Sequence, residues 1–303
     1  MRNQKVNIAG VELQNPIVTA SGTYGFGREY GEYYSLNELG AIAVKGLTLK
    51  KRLGNPPPRI AETPMGILNS VGLQNPGVEA FILEDLPFLK QFDAKVIANI
   101  AGNSIEDYVE MTRIVSASEV DLIEVNISCP NVKEGGVAFG TDCAMVDKVV
   151  SAVKKAAKKP VIVKLSPNVA DIAAIARSAV QAGADALSLI NTLLGMKIDI
   201  KTRRPILKNN VGGLSGPAVR PVAVRMIWQV ANAVEVPIIG MGGVAAAEDA
   251  VEMMLAGASA VAVGTANFTD PYAALNVKRG LERYLDENGI DDVRELIGAV
   301  EPY

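Results

Sequence analysis

Eight short runs of β-branched and small apolar residues recur along this chain with helical segments between them, and this alternation limits the fold more than any other feature. The runs are Pro16 to Ala20, Ala41 to Lys45, Lys95 to Asn99, Leu122 to Asn126, Val161 to Leu165, Ala186 to Ile190, Pro237 to Gly240 and Ala260 to Gly264. Consecutive apolar residues, rather than alternating ones, mark strands buried on both faces, as in a parallel sheet covered by crossover helices. The stretches Ser104 to Ser118, Ala144 to Lys158, Val169 to Ala182, Val219 to Ala233 and Ala246 to Ala256 carry apolar residues at helical spacing, and several run into Ala-Gly-Ala, a glycine helix stop. An open doubly wound sheet and a closed barrel can both be built from such units. Eight similar units with glycine-rich ends after the last two strands favour a single (β/α)8 TIM barrel, which 303 residues accommodate in one domain, residues 1–303. Val6 to Leu13 reads as an N-terminal hairpin at the bottom of that barrel. The long connections 46–77, 127–142 and 191–216 all follow strands, which puts them at the C-terminal face, where barrel enzymes keep their sites.

Composition removes several chemistries. There is no histidine, so a Ser-His-Asp triad, a histidine base and a histidine-ligated metal are excluded, and no metal site is expected. A net charge of -3, from 30 basic and 33 acidic residues, gives no field for a nucleic-acid backbone. Lys154, Lys155, Lys158 and Lys159 cluster at a helix end before Pro160, where solvent and the helix dipole account for them. Apolar runs are strand-sized, and the start MRNQKVNIAG lacks the apolar stretch of a secretion signal, so the expectation is a cytoplasmic protein without membrane contact. Two cysteines, Cys129 and Cys143, cannot by themselves ligate an ordinary iron-sulfur cluster.

Gly240-Met241-Gly242-Gly243 follows the seventh run and Gly264-Thr265 the eighth. Glycines let backbone N-H groups approach an anion, and barrel loops seven and eight form the usual phosphate pocket. A third glycine segment, Asn210 to Pro217, either sets Gly216 against the same phosphate or caps the following helix.

Lys45, Asn99, Asn126 and Lys164 lie in or at the end of buried runs, with Asn191 and Thr192 just beyond the sixth. Polar groups in such places need partners, so their convergence predicts a polar ligand. Either lysine could form a Schiff base; equally, two lysines among asparagines suit a flat heterocycle rich in carbonyls and ring nitrogens. The sharpest local feature is Asn126-Ile127-Ser128-Cys129-Pro130-Asn131, which puts a thiol in the loop after the fourth run, ahead of Gly135-Gly136. Cys129 is a candidate base or nucleophile, against the alternative of an inert thiol. Gly135 and Gly136 are flex points or a plain turn. Cys143, opening a helical segment, is expected in the core.

These residues resemble the class 1 dihydroorotate dehydrogenases across essentially the whole chain, through Ala20-Ser21-Gly22, Val44-Lys45-Gly46, Asn69-Ser70-Val71-Gly72-Leu73-Gln74-Asn75-Pro76-Gly77, the Cys129 segment, Lys164, Ile190-Asn191-Thr192, Gly216, Gly242-Gly243 and Gly264-Thr265. The resemblance implies FMN as cofactor, oxidation of (S)-dihydroorotate to orotate, and Cys129 as general base. It implies that Lys45, Asn69, Ser70, Val71, Gly72, Leu73, Asn126, Asn191 and Thr192 hold substrate. FMN would be held by Ser21, Lys45, Gly46, Asn99, Asn126, Lys164, Ile190, Gly216, Gly242, Gly243, Gly264 and Thr265. Class 2 members differ in carrying a serine base and an amino-terminal membrane-associated extension.

The segment Asn131 to Gly140 resembles the 1B branch, whose catalytic chain dimerises and joins a partner subunit carrying FAD and [2Fe-2S], two of each chain in a heterotetramer that passes electrons to NAD+. The alternatives are a 1A-like homodimer using fumarate, a dihydropyrimidine dehydrogenase-like enzyme acting on uracil or thymine, and a non-enzymatic scaffold.

Overall fold

The computed structural model describes residues 2–127, 133–134 and 137–303. Eight parallel strands close into a barrel: β1 Ile17–Thr19, β2 Ala41–Ala43, β3 Lys95–Ile100, β4 Leu122–Asn126, β5 Val161–Lys164, β6 Ala186–Leu189, β7 Ile238–Met241 and β8 Ala260–Val263. They pair in chain order, and β8 closes on β1 through Val261–Ile17, Ala262–Val18 and Val263–Thr19. Strand for strand these are the eight apolar runs, with every end within two residues of the expected one. The closed order rules out the open sheet.

Around the barrel run α1 Ile105–Ser116, α2 Cys143–Ala156, α3 Ile172–Gln181, α4 Arg220–Ala231, α5 Ala247–Leu255 and α6 Ala273–Glu287. The first three start on the side-chain caps that their sequences offer: Ser104 accepts from Asp107 N, Asp142 from Met145 N and Asp171 from Ala174 N. Each helix turns an apolar stripe inward, as Val146, Val149, Val150 and Val153 do on α2. Beyond the five expected helices, α6 packs against β1 and α5 with Ala274, Val277, Leu281 and Leu285 buried, and helical turns span 78–89.

The hairpin Val6–Ile8 with Val11–Leu13 forms as expected, its Val6, Ile8 and Leu13 buried in the main core just before β1. Among the described residues no helix is long and apolar enough to cross a membrane.

Two of the long connections meet in a sheet outside the barrel. Ile60–Thr63 and Gly66–Asn69 from the β2 connection join Leu193–Gly195 and Gly212–Ser215 from the β6 connection in one four-stranded antiparallel sheet. This sheet stands over the carboxyl ends of the barrel strands as a cap.

Candidate active site

Between the cap and the barrel mouth lies a cavity of about 980 Å³. Ser21, Lys45, Asn126, Lys164, Ile190, Asn191 and Thr192 reach it from the barrel, and Asn69, Ser70, Val71, Gly72 and Leu73 reach it from the cap side. Gly216, Gly242, Gly243, Gly264 and Thr265 line its other end. Gly46 and Asn99 are buried behind that lining, the Asn99 Oδ1 only 2.9 Å from where a Cβ on Gly46 would sit. The lysines, amides and glycines expected to converge therefore do so.

Lys164, 5% exposed, closes β5 and pairs in register with Asn126 of β4 and Ser188 of β6. Lys45 follows β2, and burial pushes its ammonium below the usual lysine range, with Lys164 and Arg59 adding to the shift. Two cations held this close favour an anionic or carbonyl-rich ligand between them. Asn191 Nδ2 donates to Asn126 Oδ1 at 3.4 Å, and Asn191 Oδ1 accepts from Thr192 N at 2.8 Å. Ser21 Oγ donates to Val44 O at 2.7 Å, tying the ends of β1 and β2 together.

Beneath the cavity, inside the barrel, is a polar group that the sequence did not single out. Glu124 of β4, 2% exposed, accepts from Asn99 Nδ2 on β3 and from Ser188 Oγ on β6 at 2.6 Å. With its amide nitrogen engaged below, Asn99 keeps Oδ1 buried and, among the described residues, without a partner. Among those residues Ser70 Oγ is likewise buried and unpartnered. Asn168 was also not anticipated: its Nδ2 donates to Thr192 O at 3.0 Å and its Oδ1 accepts from Leu194 N at 2.9 Å, so it anchors the start of the cap. The only hint was a Ser-Pro-Asn turn after the fifth run.

At the glycine end the backbone itself forms the wall. Gly216, Gly242 and Gly243 hold φ of 106, 126 and 85°, a region other residues enter only with strain. A Cβ on Gly243 would meet Arg220 Cβ at 2.8 Å and Gly216 O at 2.9 Å. Thr265 Oγ1 donates to Ser215 Oγ at 2.8 Å, joining the β8 end to the cap strand that leads into Gly216. The orphaned Asn99 and Ser70 oxygens, the two lysines and this side-chain-free cup fit a flat, polar cofactor ending in a phosphate.

Cys129 and its neighbours Ser128, Pro130 and Asn131, with Gly135 and Gly136, lie outside the described residues. Cys143 is exposed, not in the core. It is the first residue of α2, in line with Val146 and Val150 but a full turn ahead of where the buried stripe begins, so its place at the helix end rather than its face leaves it exposed.

The dihydroorotate dehydrogenase family profile matches residues 3–285. The chain belongs to the dihydroorotate dehydrogenase family. Like other members of that family it is an enzyme, an oxidoreductase. Relatives named dihydroorotate dehydrogenase B (NAD(+)), catalytic subunit, include the protein of Alkaliphilus metalliredigens (strain QYMF), 62% identical over 98% of this chain and 99% of the relative. Those of Geotalea uraniireducens (strain Rf4) and Thermoanaerobacter sp. (strain X514) are 58% and 54% identical, over 97% and 99% of both chains respectively.

Proposed function

We propose that this chain oxidises (S)-dihydroorotate to orotate in de novo pyrimidine (UMP) synthesis, as the FMN-binding catalytic subunit of an NAD+-linked enzyme of the cytoplasm. The observation that carries the reading is that one cavity joins a lysine-and-amide end to a glycine cup, within a chain of this family.

Gly216, Gly242, Gly243, Gly264 and Thr265 would hold the cofactor phosphate. Ser21, Lys45, Gly46, Asn99, Asn126, Lys164 and Ile190 would hold the rest of it. FMN, when bound, supplies the acceptor for the hydride that leaves C6 of the substrate. Lys45, Asn69 to Leu73, Asn126, Asn191 and Thr192 bind and orient dihydroorotate. Cys129 takes the C5 proton onto its Sγ as general base; that proton is adjacent to a carbonyl, so amide donors aimed at the oxygen stabilise the charge that develops there. The cap excludes water from the proton transfer.

Electrons leave through a partner carrying FAD and [2Fe-2S], in a heterotetramer of two catalytic and two partner chains built on a catalytic-chain dimer. The names of the relatives, which specify a catalytic subunit and NAD(+), support this reading.

The test is anaerobic mixing of the FMN-loaded chain with dihydroorotate. Rapid loss of oxidised-flavin absorbance is expected; retained flavin that fails to bleach with dihydroorotate but bleaches with a dihydropyrimidine lacking the carboxylate overturns the substrate assignment.

A further inference from the structure

The glycine cup is made from three stretches of backbone, and what fixes their spacing is a carboxylate outside the cavity. Asp249 lies in the first turn of α5 and is 7% exposed. Its Oδ2 accepts from Ala245 N at 2.8 Å and from Ala246 N at 2.9 Å, which ties down the loop that leaves Gly242 and Gly243. Its Oδ1 accepts from Arg220 Nη1, and Arg220 is the first residue of α4, just beyond Gly216 and the turn Pro217–Val219. Arg220 Nε also pairs with Glu252 Oε2 of α5 at 3.2 Å.

Capping α5 accounts for the Oδ2 contacts, since an acidic residue in a first turn often accepts from the helix start. It does not account for Oδ1, which reaches across to the neighbouring barrel unit. The backbone is already closed to side chains where the two units meet: a Cβ on Gly243 would collide with Arg220 Cβ and with Gly216 O. Asp249 thus joins the β7 loop to the amino end of α4 at the seam where the cup needs a fixed width. A phosphate held by backbone N-H groups is sensitive to that width, because hydrogen bonds weaken steeply away from their preferred distance and angle.

We propose that Asp249 is a positioning residue for the phosphate cup: through Arg220 and the Ala245 and Ala246 amides it sets the gap between the β7 loop and α4, and with it the selectivity for a phosphorylated cofactor. The inference rests on the FMN reading above. Asp249 touches neither phosphate nor reacting atoms, so its loss selectively weakens recognition of the phosphate end.

The experiment titrates the flavin-free full chain with FMN and, separately, with riboflavin, which lacks the phosphate, following flavin fluorescence. Asp249→Asn keeps the size and one acceptor but ends the ion pair. It is expected to weaken FMN binding on the order of tenfold, a factor that about 1.4 kcal/mol represents, while riboflavin affinity stays within about twofold, a shift of under half that energy. Arg220→Gln, at a partly exposed site, should act in the same direction, and the double variant should lose little more than either single one, because the two act through one contact. If Asp249→Asn does not fold, Arg220→Gln carries the test alone. Equal weakening of FMN and riboflavin overturns the assignment in favour of a general structural role, and so does an unchanged FMN affinity. A wild-type chain that does not prefer FMN to riboflavin overturns both this assignment and the phosphate reading beneath it, whereas dihydroorotate-driven bleaching tests the substrate separately.

Discussion

The two ends of the cavity are built in opposite ways. At the cup, backbone glycines from consecutive barrel units form the wall, and side chains stay out of it or, like Asp249, brace it from behind. At the proposed substrate end, side chains line the cavity beside a sheet assembled from two remote segments, with Gly66–Asn69 paired to Gly212–Ser215. The phosphate end is therefore sensitive to any added atom, and the substrate end to the identity and aim of particular groups.

The sharpest separation of the two ends comes from Cys129→Ala, which should retain FMN yet slow dihydroorotate-dependent bleaching by about 10²–10⁴-fold, the usual weight of a general base. Near-normal bleaching would remove Cys129 from the chemistry. Next comes a crossed pair of substitutions. Gly243→Ala forces a side chain onto φ 85° and against Arg220. At about 1–3 kcal/mol of strain, it should weaken FMN roughly 10–100-fold. Gly213→Ala drives a Cβ into Thr192 Oγ1. It should raise the dihydroorotate KM by about tenfold, if the strained contact costs on the order of 1.4 kcal/mol, while FMN stays bound. If the two variants give the same phenotype, the division between the ends is wrong.

Lys45 stands where the ends meet, and its behaviour is visible in pH. In the proposed site its ammonium form would attract the orotate carboxylate, and burial lowers the pH at which that form is lost. Orotate affinity should accordingly fall with rising pH below the ordinary lysine range, by up to about tenfold per pH unit past the lowered pKa. Lys45→Arg should hold its affinity to higher pH. The unliganded fold has the opposite sign: between the lowered pKa and 10.5 the unfolded chain binds more protons, so this residue's contribution to stability rises with pH across that window. The smallest effect belongs to Cys143→Ala, whose exposed position predicts a change within about 0.5 kcal/mol and normal bleaching.

What could be read from sequence follows the same division. Strand positions such as Val161–Lys164 were legible because burial on both faces leaves no polar alternation, and the cup was legible because its glycines are adjacent in sequence and follow strands. The cap was visible only as two long connections. Its two central strands are short and glycine-containing, and they pair with each other from far apart in the chain, so no local period announced that pairing. Glu124 stood in an expected strand, but its meaning depends on Asn99 and Ser188, which reach it only once the barrel closes. Cys143 was misjudged because its spacing from Val146 and Val150 puts it on the apolar face, whereas burial at a helix end depends on how far the neighbouring elements reach.

The strand Gly212–Ser215 borders Asn69 with its first residues and delivers the chain into Gly216 with its last. One short piece of backbone thus belongs to both ends of the cavity. A ligand that draws Gly216 toward the cup bears on the same strand that roofs the substrate, and thermodynamic linkage makes such an influence mutual. If the cavity is filled as proposed, loading the cofactor and admitting the substrate would share this strand and so influence one another.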